Sequence, residues 1–187
     1  IGPNQSINLA SNITGTLPTG NGGTGATSFN AAKILQVANY VNTYEHNTTG
    51  TSATDVLSSS GVSWEPSITP TVSTSKILVL ASFNIYNQDH GATTQEQRYF
   101  LNCKVKVGSG SYNGFLDQTY LGQYYYTGAS RPNPMNASTY VASSKEYDHN
   151  TTDEVKFKWQ FGLASSGVKV GLNGAGKVCT VTFMEIA

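Results

Sequence analysis

Charge is scarce in this sequence. Asp, Glu, Lys and Arg make up 12% of the 187 residues, 11 acids against 11 bases, where about 25% is ordinary for a soluble domain. The surface must therefore be covered mainly by Ser, Thr, Asn, Gly and Tyr. Zero net charge argues against nucleic-acid binding, which needs clustered Lys and Arg to displace counterions, and against electrostatic steering of any partner. Long apolar runs are missing too. The longest is Ile77 to Ala81, far below the roughly 20 residues that cross a bilayer, so no membrane insertion is expected. Cysteine is limited to Cys103 and Cys179, with no CxxC or Cys/His spacing for zinc. Each sits in a strand-like run, where two buried thiols are one reading and a disulfide between adjacent strands the other. Neither an initiator Met nor a signal peptide heads the chain, so it reads as a fragment of a longer polypeptide or a processed product.

What is present is alternation. In EVKFKWQFGL, Val155, Phe157, Trp159, Phe161 and Leu163 alternate with Glu154, Lys156, Lys158 and Gln160, which is the period of a half-buried strand. YFLNCKVKV behaves alike, with Tyr99, Leu101, Cys103, Val105 and Val107 on one face. SKILVLASFNIYN differs, because Leu78 and Leu80 make its second face apolar as well. Such a strand is covered twice within the domain or packed against another subunit. KILQVANYVNTY, VSWEPSI, YNGF, LGQYYY and the C-terminal KVCTVTFMEIA are further candidates, and only the short FNAAKILQV has any helical stripe. Trp64 and Trp159 read as core or interface anchors. About eight strands separated by turn signals predict an antiparallel β-sandwich of jelly-roll type over residues 33–187. Residues 1–32 have linker composition and read as an extended connector.

The glycine run Gly20–Gly25 has the spacing of a phosphate loop, but Ala26 and Thr27 stand where Lys and Ser/Thr are needed, so the nucleotide reading fails. Gly171–Gly176, followed by Lys177 and Val178, lacks the hydroxyl residue and reads as a hairpin turn. NITGTLPTGNGGTGATSF, residues 12–29, leading into a domain that opens ILQV, resembles the connector of bacteriophage tail fibre and tail tip proteins. SITPTVSTSKILVLASF, residues 67–83, is similar to a stretch of the same kind of C-terminal phage domain. That resemblance implies a homotrimeric fibre tip in the virion, outside the host cell. Its partners would be its own copies, other tail proteins through a further N-terminal part, and a host surface glycan or outer-membrane protein. Gly20, Gly22, Gly23 and Gly25 would then join three chains, since small uncharged residues allow close approach at a symmetry axis.

The most unusual stretch is Gly108–Ser138, where tyrosines stand among Gly, Ser and Asn. Combining sites share this composition because Tyr supplies large amphipathic contact at low entropy cost and can stack on a sugar ring. Tyr112, Asp117, Tyr120, Tyr124, Tyr126, Arg131 and Asn133 are the candidate receptor contacts. All three histidines follow an acid. Glu45-His46, Asp89-His90 and Asp148-His149 read as solvated loop tips, and side chains from such loops, Asp89, His90, Asp148 and His149 above all, could instead meet at one end of a sandwich or around a trimer axis and hold a divalent metal. No cofactor and no enzymatic activity are expected. The sequence shows no GxSxG, no HExxH and no linear pairing of carboxylates for glycoside hydrolysis. A purely structural virion domain and a carbohydrate-binding or depolymerising module are the alternatives.

Overall fold

Segments with period-two alternation become strands whose burial alternates in step. The computed structural model describes residues 33–88, 97–124, 136–163 and 169–187. Their strands are β1 (Ile34–Asn42), β2 (His46–Thr48), β3 (Thr54–Asp55), β4 (Leu57–Ser59), β5 (Val62–Ser63), β6 (Ser67–Ile68), β7 (Lys76–Gln88), β8 (Gln97–Val107), β9 (Asn113–Tyr124), β10 (Asn136–Asp148), β11 (Val155–Leu163), β12 (Lys169–Leu172) and β13 (Cys179–Ile186). In β13, Cys179, Val181, Phe183 and Glu185 are buried while the residues between them are half-buried. FNAAKILQV gives no helix within the described residues, since Ile34 onward is β1. The β-branched and aromatic Ile34, Val37, Tyr40 and Val41 of β1 favour the pleat.

The strands form two antiparallel sheets. In the first, β7 is flanked by β10 on one side and by β13 and β12 on the other, with β1 and β2 outermost. β12 and β13 both run antiparallel to β7, pairing with its two halves in succession, so they are one interrupted ribbon. β1 and β2 track them likewise. In the second sheet the order is β9, β8, β11, then β6 and β3 along two stretches of the same β11 edge, with the small β4–β5 hairpin inserted between β3 and β6. Counted as ribbons, the described strands make four per sheet.

One connection corrects the sequence reading. Gly171–Gly176 is not a hairpin turn but the interruption between the collinear β12 and β13. There Asn173, in the left-handed region at φ 60°, starts a 3-10 turn over Gly174–Gly176. Its side-chain amide donates to the carbonyls of Asn42 and Tyr44 at 3.0 Å each, stapling the matching break between β1 and β2.

The core lies between the sheets. Phe83 of the first sheet meets Trp159 of the second at 4.7 Å between ring centroids, and Phe183 stacks on Phe157 at 4.8 Å. Trp159 is 1% exposed, and Cys103 and Cys179 are buried free thiols. Burial pushes the Cys179 thiol up to about 12.

Close backbone approach explains one glycine. A Cβ on Gly162 would stand 2.6 Å from Phe100 Cζ and 2.9 Å from the Ser52 carbonyl oxygen. Phe100 can swing aside, but the backbone oxygen cannot. Gly162→Val is therefore expected to cost about 1–3 kcal/mol, measured as a lower urea midpoint; an unchanged midpoint would show that the 52–55 segment yields freely.

Candidate functional site

The sandwich has two ends of different character. Ile34 pairs with Ile186, which pairs with Lys76, which pairs with Asp148, so all four mark one end of the first sheet. Gln88 pairs with both Asn136 and Lys169 at the other end. The strand between, β7, has 13 residues, about 40 Å at the usual rise. In the second sheet, the paired termini Gln97 and Tyr124 lie toward the Gln88 end. The cross-sheet contacts of Phe83 with Trp159 and of Phe161 with His46 set that direction.

This geometry sorts the candidate residues. Tyr120 and Tyr124 belong to β9, which runs toward the Gln88 end. Tyr126, Arg131, Asn133, Asp89 and His90 lie outside the described residues, as do Gly20, Gly22, Gly23 and Gly25; the described strand ends flanking the first five, Gln88, Gln97, Tyr124 and Asn136, all belong to that end. Tyr112, Asp148 and His149 lie at the Ile34 end, and Asp117 is exposed on β9, opposite Asn102. The residues expected to act together are thus divided between two ends.

Tyr112 is held, not presented. Its ring lies 4.8 Å from Lys106 Nζ and 4.6 Å from Lys158 Nζ, a double cation–π contact. Burial, then the nearby Glu65 carboxylate, pushes its hydroxyl well above the usual phenol range. Below it the outward side of the second sheet carries Lys106 opposite Lys156 and Lys104 opposite Lys158. Like charges facing across strands are unfavourable, and acids offset them. Lys158 pairs with Asp55 at 3.2 Å and Lys156 with Glu154 at 3.4 Å. Burial would raise the Asp55 carboxyl, but hydrogen bonds from Gln160, Ser63 and Lys158 outweigh it and hold the group below its ordinary value.

The histidine readings need correction. His149 is 5% exposed, with Nδ1 2.7 Å from the Thr151 carbonyl oxygen and Nε2 3.1 Å from Ser75 Oγ. It is no solvated loop tip, and neither nitrogen is open to a metal. His46 lies in β2 with its ring edge-on to Phe161 at 5.1 Å, and burial lowers its pKa. Among the described residues no three His, Cys, Asp or Glu side chains gather as a metal site.

Ser75 leads to a residue that the sequence reading passed over. Its hydroxyl lies 2.6 Å from Glu185 Oε1, and Glu185 is 0% exposed. The same carboxylate accepts from Thr71 N–H at 2.9 Å, Val72 N–H at 3.1 Å and Gln36 Nε2 at 2.7 Å. Burial alone would raise this group, but the hydrogen bonds from Ser75, Thr71, Gln36 and Val72 hold it at about 2. The cluster clasps the 69–75 turn to β13. Period two in CTVTFMEI already puts Glu185 on the inward side with Cys179, Val181 and Phe183, which was the available signal.

The first sheet has a contrasting outward surface. Register aligns Val41, Thr180, Ser82 and Ala142 in one row, Asn39, Thr182, Leu80 and Ser144 in the next, and Val37, Met184, Leu78 and Glu146 in a third. Small residues floor a shallow depression of about 350 Å³ lined by Leu80, Ser82, Ala142, Ser144, Thr180 and Thr182. Val37 is 56%, Val41 53% and Tyr140 56% exposed at its margins. Described charges stand at the Ile34 end, where Lys76 pairs with Glu146 at 3.6 Å and Asp148 at 3.5 Å, and beside Tyr86, whose hydroxyl donates to Glu45 at 2.7 Å.

No family model matches the chain, and no curated protein matches it. Two solved structures of infectious bursal disease virus are similar in part. One is of the Gx strain, with a TM-score of 0.33, 8% identity and 81% of this chain covered. The other is of a mutant VP2 protein in derived T=1 particles, with a TM-score of 0.29, 9% identity and 97% covered. This chain spans 38% and 40% of those chains.

Proposed function

We propose that the chain is the receptor-binding tip of a bacteriophage tail fibre, a virion component that works as a homotrimer. It adheres noncovalently to a glycan or outer-membrane protein on the host surface. The observation that carries this reading is the polarity of the sandwich. The segment that resembles a fibre connector, residues 1–32, precedes β1, and β1 begins at one end of the first sheet. The strands flanking the Tyr, Arg and Asn stretch terminate at the other end, about 40 Å away. A tip domain needs this arrangement, with attachment at one end and contact at the other. Tyr124, Tyr126, Arg131 and Asn133 then supply contact area and hydrogen bonds, and several copies per particle turn weak contacts into avidity. Tyr112, pinned between two lysines at the attachment end, is removed from the contact set.

Adsorption competition tests the reading. The purified chain is expected to block infection by the parent phage. Tyr124→Ala, Tyr126→Ala and Arg131→Ala are each expected to weaken cell binding by about tenfold or more, while Tyr112→Ala leaves it unchanged. A folded chain that does not compete would instead be a structural virion domain, and release of reducing sugar from host polysaccharide would make it a depolymerising module.

A further inference from the structure

We propose that the outward surface of the first sheet, formed by β1, β13, β7 and β10, is where copies of this chain pack against one another. The inference rests on the oligomeric reading above and assigns it a surface.

The two outward surfaces of the sandwich differ in charge. That of the second sheet carries Lys104, Lys106, Lys156 and Lys158 with Asp55 and Glu154, the composition of a solvated sheet. The first sheet carries no charged side chain in its two central rows, Val41–Thr180–Ser82–Ala142 and Asn39–Thr182–Leu80–Ser144. An occupant of that surface must itself be uncharged there, since an unpaired charge brought against it loses its water with no compensation. A second copy meets that condition, because identical neutral surfaces bring no like charges together. The nearest charges, Lys76 with Glu146 and Asp148, are already paired within one chain.

Shape agrees with charge. The depression over Leu80 and Ser82 lies beside the protruding Val37 and Val41 of β1, so one surface carries both a hollow and the apolar side chains to fill it. Four strands, each contributing about eight residues, span roughly 500 Å² at normal strand spacing and rise. That makes up the larger part of the roughly 800 Å² per partner of a standard interface. Leu78 and Leu80, the residues that make β7 apolar on both sides, are half-buried in the single chain and would be covered in the assembly. An axis parallel to β7 would bring the Ile34 ends together and leave the Gln88 ends together at the far side.

The test is analytical ultracentrifugation of the full 187-residue chain and three variants. Val41→Lys and Ser144→Lys change side chains exposed in the single chain, so the protomer fold does not depend on them. Lys104→Ser alters the opposite sheet as a control. Wild type and Lys104→Ser are expected to sediment as the same oligomer, and the two lysine variants to dissociate at concentrations about 100-fold higher, because like charges would be forced together. Circular dichroism checks that each variant keeps its sheet content. A monomeric wild type would overturn the oligomeric reading and the surface with it. An oligomer that both lysine variants leave intact would overturn the surface alone. Oligomers that persist in these variants while cell binding is lost would make this surface a receptor contact, and would equally overturn the proposal.

Discussion

Phe157→Ala is expected to lower the unfolding free energy by about 4 kcal/mol, the middle of the range for removing a buried phenylalanine. Phe157 is 0% exposed and its ring is shared by three others. Phe183 stacks on it at 4.8 Å, Phe115 meets it edge-on at 5.3 Å and Tyr147 edge-on at 5.9 Å. Phe183 and Tyr147 come from β13 and β10 of the first sheet, Phe115 from β9 of the second. The substitution therefore opens a cavity where both sheets meet. Against a total stability of about 5–15 kcal/mol, a loss of that size leaves a domain that unfolds at low urea. Equilibrium denaturation reads it as a large fall in midpoint at unchanged slope. A fall of less than about 1 kcal/mol would mean that the core repacks around the gap.

Glu185→Ala is expected to cost about 3 kcal/mol, because it removes the charged acceptor shared by the Thr71 and Val72 N–H groups, Gln36 Nε2 and the Ser75 hydroxyl. The same carboxylate is expected to contribute to the acid sensitivity of the fold. Its folded value of about 2 lies below the roughly 4.3 of an unfolded glutamate. The stabilisation it provides is therefore fully present above about pH 4.3 and is lost progressively as pH falls toward 2. Glu185→Gln removes the titration, so its stability is expected to change less than that of wild type between pH 5 and pH 2 on urea curves taken across that range. Identical slopes for the two proteins would show that the clasp does not govern acid stability.

Much of the fold was legible where one face of a strand is apolar and the other polar. Val155 to Leu163 and Tyr99 to Val107 fall on β11 and β8 as their alternation predicts, and Trp159 is buried as expected. β10 was not legible, although all 13 of its residues pair with β7. It is an edge strand whose inward positions include Ser143 and Lys145 and whose outward positions include Tyr140 and Ala142, so period two has no contrast to display. Lys145, exposed at this edge, donates to the Phe115 carbonyl and lies over that ring. Asn113–Phe115 of YNGF and Leu121–Tyr124 of LGQYYY, read as two strands, belong to the single β9. Its register against β8 shifts twice, and such bulges carry one ribbon across a break in pattern. VSWEPSI splits the other way, into β5 and β6 on either side of Pro66, which has no N–H to pair. The candidate site was legible as composition but not as place. Tyr112 and Tyr124 look alike in sequence and stand at opposite ends, because the length of β9 separates them. His149 looked like a loop residue because its partners, Ser75 and Thr151, are set by the fold and not by its neighbours in the chain.

The position of β13 governs when this chain can fold. It lies between β1 and β7, pairing along Ile34–Asn42 on one side and Lys76–Ser82 on the other. Until residue 186 has left the ribosome, β1 has no partner in its sheet and the emerging chain holds an unpaired β7 edge. Closure of the first sheet therefore waits for β13, gated by the longest-range pairing in the fold and slow in the manner of high-contact-order β proteins. During that interval the exposed edges of several nascent copies are free to pair wrongly, so the yield of native protein is set by how crowded synthesis is as well as by final stability.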